Sequence, residues 1–223
     1  MIKFRHLMWL LCLLYCTNPD QGSNDIIQHG ETLWTAAERQ LLLDGLQRTM
    51  LEMLDLVTNL KEDQWNFTEG SGRWSIGNIV EHLELQDKMH YREVYLISKI
   101  PIMPEYVEVV KGNDHHFLAY ATDPKPGRTS WNLEPNGRFC NQENTIRAFQ
   151  RVREELIKYV QETEEDFRQH FTFRNYKPDG GLTNPGAWDV RDLHQLLLTT
   201  IAHTDRHLGQ IKKIMQVASY PGD

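Results

Sequence analysis

Apolar residues recur every three or four positions along most of the chain, and no stretch of useful length alternates as a half-buried strand does. Between 32 and 60 the series Ala36, Leu43, Leu46, Met50, Leu54 and Val57 predicts a long amphipathic helix. A turn-rich stretch with Gly70 and Gly72 closes it. Ser75 then offers a cap for a second helix reaching Ser98, where Pro101 and Pro104 enforce a stop. The next segment, 101–140, carries Pro124, Pro126, Gly127, Pro135 and Gly137 and is longer than compact domains normally leave irregular. Asn141 caps a third helix to Phe167, with Ile146, Phe149, Val152, Leu156 and Val160 on one face. Pro178, Gly180, Gly181, Pro185 and Gly186 break the chain again, and Asp189 caps a fourth helix that runs to Val217.

Four helices that each bury one apolar stripe predict an all-α four-helix bundle over 32–220. The short first connection suits antiparallel neighbours. The long second connection can carry the chain back, so that helices two and three run in the same direction.

Composition changes this picture little: 223 residues with 40% hydrophobic and 25% charged content fit one domain. The net charge of -7, with basic residues scattered among acids, argues against a nucleic-acid partner. The N-terminus adds more. Lys3, Arg5 and His6 precede an apolar run from Leu7 to Tyr15 that ends at Cys16, which is the grammar of an export signal and too short for a membrane span. Leu13-Leu14-Tyr15-Cys16 resembles a lipobox, so 1–16 is expected to be a signal, possible lipidation of Cys16 being the one route to a membrane. Residues 17–31 read as a polar linker. The expected location is periplasmic or membrane-anchored, and cytoplasmic if the segment is no signal. Only Cys140 remains in the folded body, so no internal disulfide is expected.

The candidate chemistry lies in histidines. His203 and His207 are four residues apart, which on a helix sets their rings about 40° apart on one face. Leu193, Leu196, Ile211 and Ile214 place that face at the inward edge of the apolar stripe. His82 lies on the inward face of the second helix with Ile79, Leu83, Met89 and Ile97. Three inward imidazoles can share a metal ion, or each can be a hydrogen-bonded core residue. Imidazole ligands suit zinc or nickel, then iron or manganese, and three protein ligands leave positions open for water or substrate.

Other polar residues rank lower. His90 is about 80° from His82 on the helix wheel and His194 about 180° from His203, so neither joins the group, and His194 is expected to be exposed or at an interface. His115 and His116, beside Asp114 in the long segment, read as a solvated loop or a lid. Gln86 and Gln210, each one turn beyond a candidate ligand, could support a ligand or contact substrate. Glu81 points about 100° from His82, against a role as general base. Trp74 and Trp188 read as packing staples ahead of the two histidine helices. The run Glu162, Glu164, Glu165, Asp166 reads as a solvated face.

Two stretches, RWSIGNIVEHLELQD at 73–87 and IAHTDRHLGQIKKI at 201–214, resemble the DinB-like metalloprotein superfamily, and the likeness in helix order and spacing extends over 32–217. The resemblance implies a DinB/YfiT-like bundle of up-down-down-up topology, commonly a homodimer, with a divalent metal on His82, His203 and His207. It also implies metal-dependent chemistry on a small-molecule substrate. Hydrolysis through metal-bound water and thiol S-transfer are the two candidates, and the export signal favours hydrolysis. A non-catalytic metal- or ligand-binding bundle is the alternative.

Overall fold

The computed structural model describes residues 32–122, 129–173 and 190–222. The expected signal, the linker, Trp188, Asp189 and the breaker run 178–186 lie outside the described residues. The helices are α1 (Ala36–Val57), α2 (Glu62–Asn66), α3 (Ile76–Ile97), α4 (Val107–Val110), α5 (Asp114–Thr122), α6 (Gln142–Glu162) and α7 (Leu193–Ile214). Strands β1 (Phe171–Phe173) and β2 (Val190–Asp192) pair antiparallel, with Phe171 opposite Asp192.

Side-chain caps set the helix starts. Thr35 and Glu38 form a reciprocal capping box on α1, and the Ser75 hydroxyl accepts the Asn78 N–H at 3.1 Å on α3. Asn141 accepts the Asn144 N–H at 2.8 Å on α6. The fourth long helix departs from expectation: its cap is Asp192, which accepts the Gln195 N–H at 2.7 Å. The residues before it form β2. The third long helix also stops early, at Glu162, because Thr163 turns to extended backbone with ψ 140°.

Contacts between the long helices give their directions. Arg39 reaches the Val160 carbonyl and Gln142 the Val57 carbonyl, so α1 and α6 are antiparallel. Trp34 meets His194 and Arg48 meets Asp205, so α1 and α7 are parallel. Asp87 pairs with Arg153 and Ser98 with Tyr159, so α3 and α6 are parallel. The order is up-down-down-up. The short first connection nevertheless does not join neighbours: α1 and α3 each pack against both α6 and α7 and sit diagonally. The intervening α2 spans the end of the bundle, and its Trp65 lies against Gly77, where a Cβ would come within 2.5 Å of the indole Nε1.

Two apolar clusters fill the interior, one around Leu46, Leu156, Leu196 and Leu197, the other around Met53, Ile79, Phe149 and Ile211. Each such side chain stabilises the fold by about 1.5–3 kcal/mol through burial. Between them lies a polar layer. The Arg153 guanidinium, fully buried, holds Asp87 at 2.7 and 3.0 Å, and donates to Thr49 at 2.8 Å and Thr204 at 2.9 Å, so one side chain touches all four long helices.

The described parts of the 101–140 segment are more regular than its composition suggests. They hold α4, α5 and the 3-10 turns Pro104–Tyr106 and Trp131–Leu133, and α5 packs along α7 through the buried Phe117. Arg168 fastens this side, bonding Glu38, Asp114 and Asp192 at 2.7–3.0 Å. Asp166 is no bystander on a solvated face: its carboxylate accepts the N–H groups of Leu33 and Trp34. No described helix is long and apolar enough to cross a membrane.

Candidate metal centre

The antiparallel packing of α3 on α7 brings His82 to His203 and His207. One ring nitrogen from each lies within 4.8 Å of the others, and among the described residues this is the group of side chains arranged to hold a metal ion. Ring centroids are 5.3 Å apart for His82 and His203, 5.1 Å for His82 and His207, and 4.5 Å within the α7 pair. His82 and His207 are buried, and His203 is part-exposed at the edge of the group.

Two of the rings are oriented from behind. His82 Nδ1 donates to the Leu133 carbonyl at 2.9 Å, and His207 Nδ1 donates to Gln210 Oε1 at 2.9 Å. An N–H at Nδ1 leaves the Nε2 lone pair of each ring for the centre. His203 Nε2 lies 3.2 Å from His207 Nε2, and its Nδ1 is buried with no hydrogen-bond partner among the described residues. Burial above all lowers the three imidazole pKa values. His207 falls to about 3 and His203 well below its ordinary value, with the facing rings and the Arg206 guanidinium adding to the effect. The rings are therefore neutral at pH 7, the form that binds a metal.

Trp74 does more than staple a helix: its ring lies 4.8 Å from that of His82 and 6.5 Å from that of His207, walling one side. The loop after the Trp131–Leu133 turn covers α3 through Glu81. This buried carboxylate accepts the N–H groups of Asn136, Gly137 and Arg138 at 2.9–3.2 Å, as well as Arg138 Nε. Glu81 thus anchors the strap whose Leu133 carbonyl orients His82. The helix wheel shows that Glu81 points away from the histidines, but a backbone acceptor such as Leu133 leaves no mark in a sequence.

Gln210 bonds a histidine of the group, whereas Gln86, one turn past His82 on α3, is buried. His90 lies outside the group and bonds Thr200 Oγ1 at 2.8 Å. His194 is neither exposed nor at an open face: it is buried and accepts the Trp34 indole N–H at 3.1 Å. His115 is exposed on the first turn of α5, and neither it nor His116 belongs to the group. A cleft of about 880 Å³ lies between α2, the start of α3 and the start of α6. It is lined by Trp65, Glu81, Cys140 and Thr145 among others, and by none of the three histidines.

The sequence model of the DinB superfamily matches residues 45–211, which include both helices that carry the histidines. The chain belongs to the DinB superfamily. Among solved structures it is similar to YfiT from Bacillus subtilis, described as "a probable metal-dependent hydrolase with an unusual four-helix bundle topology". That likeness has 11% identity and a TM-score of 0.49, and it covers 84% of this chain and 91% of YfiT. A search of the curated proteins finds no match.

Proposed function

We propose that this DinB-superfamily chain is a metal-dependent hydrolase of a small molecule, with His82, His203 and His207 holding one divalent ion, zinc or nickel before iron or manganese. The convergence of three neutral imidazoles carries the reading. The donor set fits such an ion. The Nδ1 bonds of His82 and His207 leave their Nε2 atoms facing the group, and the buried Nδ1 of His203 has no hydrogen-bond partner among the described residues. A bound ion supplies Lewis acidity towards a water or a substrate oxygen.

The chain's own residues do the rest. Leu133 and Gln210 hold the tautomers of His82 and His207, and Trp74 keeps water from one flank. Gln86 offers a side-chain amide to substrate one turn from His82.

Elemental analysis of wild type beside His203→Ala tests the ligand set. The expected result is stoichiometric metal in wild type and its loss in the variant, and a variant with full metal content would rule the set out. An assay on ester, amide and phosphoester substrates, with and without chelator, then tests hydrolysis. A second reading, a non-catalytic metal-binding bundle, is favoured by the large cleft lying away from the histidines. Full metal content with no turnover of any of these substrates, nor of thiols with an electrophile, would select it.

A further inference from the structure

Exposed apolar side chains are ordinary when scattered and informative when they gather. Among the described residues five gather at one end of the bundle: Leu33, Tyr95, Leu96, Ile100 and Ile102, each 36–60% exposed. The turn at 163–169 ties them together. The Leu33 N–H donates to Asp166, Lys99 bonds Glu165, and the Met103 N–H donates to the Gln169 carbonyl, with Ile100 and Ile102 between those two anchors. The Tyr95 ring lies 5.6 Å from that of Tyr159 near the end of α6. The folded unit also begins here, at Thr32.

We propose that this end of the bundle docks on a lipid bilayer of low surface charge, into which the five apolar side chains insert. Two observations name that occupant. The first is the chain ahead of Thr32, where the apolar run Leu7 to Tyr15 ends at Cys16 and the linker 17–31 can span at most about 50 Å. The inference rests on that expected anchor. An anchor keeps the body near the membrane, so that a shallow insertion too weak to hold a free protein suffices. The second is the make-up of the end itself. Tyr91, Tyr95 and Tyr159 stand ring to ring at 5.6–6.3 Å, and Lys99 lies over Tyr159. Tyrosine and lysine beside aliphatic side chains suit the headgroup boundary, with ring or stem in the apolar layer and polar tip in water. Glu162 and Glu164 are exposed beside the turn and are repelled by anionic lipid, hence the low surface charge. The start of α7 is fixed at this end by the Leu193 N–H on the Phe167 and His170 carbonyls. His203 lies about 15 Å further along that helix, so docking leaves the metal centre off the surface.

Hydrogen exchange of the full chain, in buffer and on phosphatidylcholine vesicles, tests the proposal. On vesicles the amides of 95–103 should exchange several-fold more slowly, while those of α2, at the opposite end, stay unchanged. Leu96→Asn combined with Ile100→Asn changes only exposed side chains. It should abolish that protection while the full chain still floats with the vesicles through its N-terminal segment. Protection that persists in the double variant, or a wild type that floats without protection at 95–103, overturns the docking. Protection in buffer that grows with protein concentration, with vesicles adding nothing, would make the occupant a second copy of this chain and also overturns it. A wild type that does not float removes the anchor, and the proposal falls with it.

Discussion

Two buried polar layers are adjacent along the bundle, and they resolve the same physical problem in opposite ways. Around Arg153, four short hydrogen bonds from one guanidinium reach Asp87, Thr49 and Thr204, and a longer one of 3.4 Å reaches the Leu46 carbonyl, so the charge is answered by the chain. One residue away on α7, the His203 and His207 rings turn nitrogen towards nitrogen, and the buried Nδ1 of His203 has no partner among the described residues. Burying polar groups costs stability unless each finds a partner, so a layer complete in itself reads as structural and a layer left incomplete reads as built for something else. The contrast also separates ion-pair from metal chemistry: a guanidinium with a carboxylate has no use for a cation, whereas three neutral imidazoles do.

The largest expected effect tests the complete layer. Asp87→Ala leaves the Arg153 charge buried without its carboxylate, and should destabilise the protein by about 3–5 kcal/mol in urea unfolding. A loss below about 1 kcal/mol would mean that the layer is not the closed network its geometry describes.

Acid should act on the incomplete layer and on His194, each ring contributing a smaller amount than the loss of Asp87. Burial lowers His194 to about 4 and His207 to about 3, against 6.5 for an ordinary histidine. Between those values the unfolded chain binds protons that the folded chain refuses. Stability of the metal-free protein is therefore full above pH 6.5 and is lost as the pH falls towards 4. For His194 alone the loss at pH 5 is about 2 kcal/mol. Urea midpoints measured from pH 7.5 to pH 5 check this, and a flat profile would contradict the buried, neutral state of these rings.

How much of this was legible in the sequence depends on whether a feature is local. The caps Ser75 and Asn141 sit where the sequence places them, because a capping side chain bonds the backbone two or three residues on. The inward faces of α3 and α7 were legible for the same reason, since helical period alone places His82, His203 and His207. The strands were not: three residues are too few to show alternation, and the pairing of Phe171 with Asp192 joins distant parts of the chain. The burial of His194 was missed because its partner, Trp34, is 160 positions away. Arg153 lay within the predicted third helix as one more charged residue, and only the facing Asp87 reveals its depth.

The smallest expected effect concerns the support behind the histidines. Glu81 touches none of the three, yet it fixes the backbone of 136–138, and that strap carries the Leu133 carbonyl that orients His82. Glu81→Ala should therefore weaken metal binding about tenfold, at the lower end of what loss of an orienting partner costs. Glu81→Gln keeps one acceptor oxygen and should recover part of the affinity. A purely structural role predicts something else: a lower melting temperature for Glu81→Ala with unchanged metal affinity in the folded protein, and an unaltered His82 tautomer by nitrogen NMR of the ring. Metal affinity and ring tautomer moving together would show that the incomplete layer is held ready from outside itself, where the Arg153 layer needs no such support.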